Sequence, residues 1–458
     1  MNNKHIQHLF WRAGFGLNPV EISKLAKKSK KQVVNSLFEK SKNSSPITIT
    51  SFNDIKLYKN FKNLNQDQRR KLQKDNRNKI VELNINWIDR IFNSEEVLRE
   101  RMTLFWANHF VCKAQQSYHI QKFNNILREN ALGNFGDFLK EVSKSAEMIK
   151  YLNAKQNKKQ SPNENFAREL MELFTLGVGN YTENDIKESA RAFTGWNHKL
   201  NGDFVLIERQ HDFGEKEFFG EKGNFNGNDI INIILKQKQC AKFICEKVYS
   251  YFVNTKINSK HIDELVTVFY PKYDISALMQ HIFMSNWFYN EENIGTKIKS
   301  PIELLAGINN TVPIKFKADR QLQYLQKRLG QHLLNPINVA GWEGGQSWID
   351  TNTLMLRLKL PSILLNNAVI SLAGISEFED TYEQYLKKRK AQKGYLKMTQ
   401  NWEVFNKNYN KLNAEQLQQM LLLGKLSHEA SDLLNQISFN NPKDYCIQLM
   451  SLPEYQLC

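Results

Sequence analysis

A chain of 458 residues can bury more than one hydrophobic core, and its 41% hydrophobic and 24% charged residues are ordinary for a globular protein. No stretch approaches the roughly 18 uninterrupted apolar residues of a membrane-spanning helix. The most apolar late run, 360–375, is broken by Pro361, Ser362, Asn366, Asn367 and Ser371. Of the net charge of +16, residues 1–80 carry +13, from 18 Lys and Arg against 5 Asp and Glu. Such a field would attract an acidic partner, an anionic surface or nucleic acid; it equally describes a solvated, lysine-rich surface.

The opening residues lack the apolar core of an export peptide. The five cysteines, Cys112, Cys240, Cys245, Cys446 and Cys458, have neither CxxC nor Cys/His zinc spacing. A cytoplasmic location without a disulfide framework is therefore expected, with export by an unrecognised route left open.

In chain order, 7–40 reads as two short helices around Gly14-Phe15-Gly16 and Pro19, with helical apolar spacing from Val20 to Phe38. The polar stretch 41–80 reads as a loop followed by a charged helix, and 80–150 as a run of helices. Further helices are expected over 163–177, ended by Gly177-Val178-Gly179, and over 183–197. Phe204-Val205-Leu206-Ile207 is β-prone and glycine-spaced, so one small β-hairpin is expected near 204–220. Helices resume from Asp229 to about Arg328, a glycine-rich loop covers 335–345, and amphipathic helices close the chain around 413–424 and 428–450. The expectation is a mainly α, multi-helical globular fold. It divides into a basic helical region (1–80), a helical core (81–376) and a helical extension (377–458), which begins with the connector Lys387-Lys388-Arg389-Lys390.

The chemistry-bearing residues concentrate between Asn163 and Lys216. On a helix, Asn165, Glu169 and Glu172 fall within roughly 60° of one another, so two carboxylates share a face. Such a pair can ligate a metal or split into acid and base; with Arg168 it also describes a solvated face. His109 projects with Leu98, Met102 and Phe105 and should face inward, as a core residue, a base or a ligand. Thr182 and Asp185 have capping-box spacing. Glu188 and Arg191 have that of an intrahelical ion pair. His211-Asp212-Phe213-Gly214-Glu215-Lys216 places a His, an Asp and a Lys in one loop, where geometry decides whether they act together. Trp342 in the glycine-rich loop either stacks a ligand or pins the loop. No P-loop, dinucleotide fingerprint, HExxH or GxSxG elbow is present.

Several of these segments, in order, resemble a bacterial family called domain of unknown function 1800. The resemblance runs through His8-Leu9-Phe10-Trp11-Arg12-Ala13-Gly14-Phe15-Gly16, Leu104-Phe105-Trp106-Ala107-Asn108-His109-Phe110, and the long block Asn163-Glu164-Asn165-Phe166-Ala167-Arg168-Glu169-Leu170-Met171-Glu172-Leu173-Phe174-Thr175-Leu176-Gly177-Val178-Gly179. It continues through Tyr181-Thr182-Glu183, 190–196, 211–216, Ser300-Pro301 and Gly341-Trp342. It implies a helical fold and, because relatives are often encoded beside a sulfatase-like protein, a sulfatase-like partner; it implies no activity. Residues 41–80 and those after about 377 match the pattern poorly.

Two functions follow. The first is an enzyme, hydrolase-like or metal-dependent, whose polar pocket joins His109, Arg168, Glu169, Glu172, His211, Asp212 and Lys216. His109, Glu169, Glu172 and His211 would hold a divalent metal, Glu169 or His211 would act as base, and Arg168 or Lys216 would neutralise developing charge. The second is a non-catalytic binding or assembly protein whose basic first 80 residues dock an acidic partner. Nucleic acid is not the expected partner, since no recognition motif is present.

Overall fold

The computed structural model describes residues 1–366, 396–436, 439 and 441–458. The expected connector 387–390, the boundary after 376 and the end of the 360–375 run lie outside the described residues. The fold is mainly α, and the described strands form only small two-stranded sheets. No described helix is long and apolar enough to cross a membrane.

Contacts divide the chain into two compact units that are not continuous in sequence. One comprises 30–288 and 333–343. The other comprises 1–29, 289–332 and 344–458. The helix Gln66–Asn93 runs through residue 80, where a domain boundary was expected.

The first unit stacks helices Lys30–Lys40, Gln66–Asn93, Val97–His109, Ser117–Glu129, Phe135–Lys144 and Ala146–Tyr151 before the motif block, and Gly227–Lys236, Lys238–Phe252, Ser259–Phe269 and Ile275–Met284 after it. Val97–His109 is buried from Leu98 through Trp106, charged residues included. Its Glu100 is fully buried and receives Arg128 Nε at 2.6 Å, Arg128 Nη2 at 3.3 Å and Trp87 Nε1 at 3.2 Å. Arg99 caps the end of Ser117–Glu129, donating to the Arg128 and Glu129 carbonyls at 2.7 and 3.0 Å. These bonds answer the carbonyls that a helix end leaves without partners.

The single hairpin expected near 204–220 is two. Strand β1 (Trp196–His198) pairs with β2 (Phe204–Leu206), and β3 (Lys216–Phe218) with β4 (Glu221–Gly223). The second closes through Phe219 and Gly220, both at positive φ, as a tight two-residue hairpin requires. The helix expected over 183–197 stops at Ala192, because Gly195, at φ 78°, turns the chain into β1.

The second unit holds helices Asn3–Ala13, Pro19–Ala26, Pro301–Thr311, Asp319–Arg328, Thr351–Leu365, Trp402–Tyr409, Ala414–Leu421, His428–Gln436 and Pro442–Met450, with β5 (Ile314–Phe316) paired to β6 (Met398–Gln400). The helical spacing over Val20–Phe38 is broken: Pro19–Ala26 ends before Lys30–Lys40 begins. Gly307 lets the Trp11 ring approach; a Cβ there would stand 2.5 Å from it. Lys299 is fully buried between the Trp11 and Tyr455 rings, 4.0 and 3.8 Å away, and donates to the Tyr455 carbonyl at 2.6 Å. Burial pulls its pKa down to about 7. Ser300 and Glu303 form a capping box behind Pro301, which gives the Ser300-Pro301 motif a structural role.

The Glu100–Arg128 pair generates a prediction. Glu100→Gln leaves the guanidinium buried without its anion, and stability should fall by about 3–5 kcal/mol. Glu100→Leu combined with Arg128→Met should cost clearly less than Glu100→Gln alone, measured by chemical denaturation.

Candidate functional site

The longest motif block begins as an α-helix, Asn165–Glu169, and passes directly into a π-helical turn, Leu170–Thr175. Thr175 Oγ1 donates to the Leu170 carbonyl at 2.6 Å, and Leu176 N to the Met171 carbonyl at 2.8 Å, so bonds span five residues. Regular 3.6-residue periodicity over 163–177 therefore does not hold. Gly177 and Gly179, at φ 82° and 81°, end the segment where it was expected to end.

His109 fastens this turn. Its Nε2–H donates to the Phe174 carbonyl at 3.0 Å, and its ring lies among Phe105, Trp106, Phe110, Phe135, Phe174 and Phe243. Burial, aided by Lys247, lowers its pKa to about 3, so the imidazole is neutral. The inward orientation read from the helix is what the structure contains. As placed, the nitrogen expected to work as base or ligand holds a backbone carbonyl.

Glu169 and Glu172 straddle the α-to-π junction, both half-buried. Tyr181 donates its hydroxyl to Glu172 Oε2 at 2.8 Å, and its own pKa is pushed up to about 12, by burial first and then by that carboxylate. The Glu169 pKa is raised, by burial first and the Glu172 charge second. Tyr151 stands near enough to Glu169 to feel its charge. Asn165 turns away and donates to the Leu152 carbonyl at 3.0 Å. Arg168 lies outside this pair, at 3.2 Å from Glu164 and 3.0 Å from Glu183.

The 211–216 loop is held by its own polar groups. Asp212 receives Arg191 Nε at 2.8 Å and the Gly214 amide at 2.8 Å, and its pKa falls, chiefly through Arg191. Arg191 also pairs with Glu188 at 2.8 Å, as the i, i+3 spacing suggested. Buried Lys216 donates to the Asp212 and Gly214 carbonyls at 2.7 and 2.8 Å. His211 Nδ1 donates to the Thr194 carbonyl at 2.8 Å, and Thr194 Oγ1 accepts the Asp212 amide at 2.8 Å. On the adjoining helix, Asp185 forms the expected capping box with Thr182. Asp185 and Glu188 also accept the Phe219 and Glu217 amides at 3.1 Å each, sealing the edge of β3.

Sequence reasoning placed seven residues in one pocket, but the structure distributes them. Glu169 and Glu172 are together, with the Arg168 charge near enough to act on Glu169; Asp212, Lys216 and His211 are together; His109 bonds the Phe174 carbonyl instead. No hydrogen bond, ion pair or ring contact joins these groups to one another among the described residues. The metal set His109, Glu169, Glu172 and His211 is not assembled, since among the described residues no such contact joins either imidazole to the two carboxylates or to the other imidazole. No group of three or more His, Cys, Asp or Glu able to hold a metal ion exists among the described residues. Tyr181 and Thr194 were missed as site residues. Both stood inside the family motifs, and the only signal was a hydroxyl two residues after Gly179 or directly before Gly195. Asn157, which bonds the Ala190 carbonyl, the Asn163 amide and the Gly195 amide, carried no signal at all. Trp342 pins its loop, exchanging bonds with Asn108 at 2.9 and 2.7 Å.

The neutral His109 generates a pH prediction. Its folded pKa of about 3 lies below the ordinary value of about 6.5. Between these pH values the unfolded chain binds more protons, so stability is lost as pH falls from 6.5 toward 3. In His109→Gln that loss should be shallower by up to about 1.4 kcal/mol per pH unit, read from denaturation at stepped pH. Equal slopes in both proteins would refute it.

No curated protein and no solved structure matches the chain. The family described as "Protein of unknown function (DUF1800)" matches residues 8–457, nearly its whole length, and the chain belongs to that family.

Proposed function

We propose that the chain is a hydrolase-like enzyme that works by general acid–base catalysis from the Glu169–Glu172 face. The observation that carries this reading is the unequal environment of two neighbouring carboxylates. Burial and a like charge favour the protonated form of Glu169, while the Tyr181 hydroxyl supports Glu172 as an acceptor. Two carboxyl groups in unequal surroundings can serve as acid and base at one pH. A π-helical turn beneath them is a further support, since such turns occur often at functional sites. Glu169 is assigned as proton donor, Glu172 as base and Tyr181 as its positioning residue. His109 and the 211–216 loop serve as scaffold.

A second reading, docking of an acidic partner such as the sulfatase-like protein that the resemblance implies, is favoured by one observation. Lys59, Lys62, Arg70, Lys71, Lys74 and Arg77 are all exposed on the 57–63 turn and the first half of Gln66–Asn93. Such binding would weaken steeply with salt and would survive His109→Ala. The absence of a described membrane span is compatible with the cytoplasmic location proposed for either reading.

The test is a screen of the purified protein against ester, glycoside, phosphoester and amide substrates. Glu169→Gln and Glu172→Gln should each lower turnover about 10²–10⁴-fold, and Tyr181→Phe by less. Glu169→Gln should also remove the alkaline limb of the pH profile, because the raised pKa of Glu169 sets where the acid is lost. Turnover that survives both carboxylate substitutions would refute the assignment.

A further inference from the structure

A pair of histidines outside the acid–base face has the marks of a metal site. His119, on Ser117–Glu129, and His198, at the end of β1, hold their ring centroids 5.2 Å apart at an interplanar angle of 76°. Each has one nitrogen committed to a backbone carbonyl. His119 Nε2 donates to Leu200 O at 2.9 Å, and His198 Nδ1 donates to Lys199 O at 2.9 Å. A carbonyl only accepts, so both tautomers are set and each neutral ring keeps a lone pair on its other nitrogen.

His119 Nδ1 is buried and has no hydrogen-bond partner, in a side chain 6% exposed. A buried acceptor without a donor costs about 1–3 kcal/mol, a cost that a bound ligand would relieve. No hydrogen bond joins the two rings to each other. An N–H spent on a backbone carbonyl, with the second nitrogen left open, is the usual orientation of a metal-bound imidazole. With metal–nitrogen bonds of about 2.0–2.1 Å and a tetrahedral angle, two imidazoles on one ion hold their centroids roughly 5 Å apart. The turn between β1 and β2 closes over the pair: Gly202, at φ 80°, brings backbone to where a Cβ would stand 3.3 Å from His119 Cδ2.

We infer that His119 and His198 together bind one late first-row divalent ion, copper or zinc, through His119 Nδ1 and His198 Nε2. Imidazole pairs suit these ions, and copper should bind the tighter. Water or an exogenous ligand completes the shell, since the described residues supply no third His, Cys, Asp or Glu. Lys150 lies near both rings, Lys155 near His198, and Lys122 near His119, where it pairs with Asp203 at 3.2 Å. These cations oppose a bare divalent ion, and an anionic ligand in its open positions would offset them. The site is separate from the Glu169–Glu172 face, and its test does not depend on any activity.

The experiment is titration of the full chain, stripped with a chelator, with Zn²⁺ and with Cu²⁺ by calorimetry, and electron paramagnetic resonance of the copper form. One ion per chain should bind, with nitrogen hyperfine structure from two imidazoles. His198→Ala, at a half-exposed position that folding should tolerate, should weaken binding at least tenfold. His119→Gln should do the same, while His281→Ala, at a surface histidine paired with Glu264, should leave it unchanged. Absence of one-to-one binding in the wild type, or unaltered affinity in His198→Ala, overturns the inference.

Discussion

The hydrogen bond from His109 to the Phe174 carbonyl ties a buried helix to a helical turn of unusual pitch, and the surroundings of Glu169 and Glu172 depend on that turn. A π-helical segment shifts its backbone bonds by one residue relative to an α-helix, so its carbonyls must be satisfied differently. A neutral imidazole in an aromatic cage is suited to this. It donates one proton, brings no charge into a low-dielectric interior, and packs on both faces. The Thr175 hydroxyl answers a second carbonyl of the same turn. With the turn held from beneath, the two carboxylates stand at the junction above it, half in solvent.

The second recurrent device is a charged side chain spent on backbone. Arg99 caps a helix end, Lys216 clasps the 211–216 loop, Glu188 holds an amide of β3 and Asp185 one of the turn that follows it. Each charge is removed from water, and each is repaid by hydrogen bonds of the charge-assisted kind. This use of ionic groups explains how the described residues, with many short helices and only small two-stranded sheets, keep their irregular segments ordered. It also explains why the stretch from Asn163 to Lys216 looks so rich in chemistry. Much of that richness is the hardware of turns and caps.

The acid pair and the histidine pair differ in kind. At Glu169 and Glu172 the surroundings are unequal and the carboxylates reach solvent, which is what proton transfer needs. At His119 and His198 the tautomers are set and one nitrogen of each ring is left open, that of His119 buried, which suits coordination better than acid–base work. Neither histidine stood in a motif with metal spacing, because they lie 79 residues apart, on a helix and on a strand.

Local sequence determined a great deal of this protein. Apolar periodicity and polar caps marked most helices, the Thr182–Asp185 box and the Glu188–Arg191 pair formed as their spacing dictates, and Gly177 and Gly179 stopped the motif helix. These features are legible because they depend on neighbours within about one helical turn. Even so, Gly195 ended a helix early, and the π-helical turn altered the arc on which Glu169 and Glu172 were projected. Which polar residues meet was decided only by the tertiary structure. His109, Asp212 and Lys216 have the right chemistry for catalysis, yet His109 and Lys216 are spent on backbone carbonyls and Asp212 on Arg191 and the Gly214 amide. A buried carbonyl must find a donor wherever packing puts it, and that demand is invisible in a linear sequence.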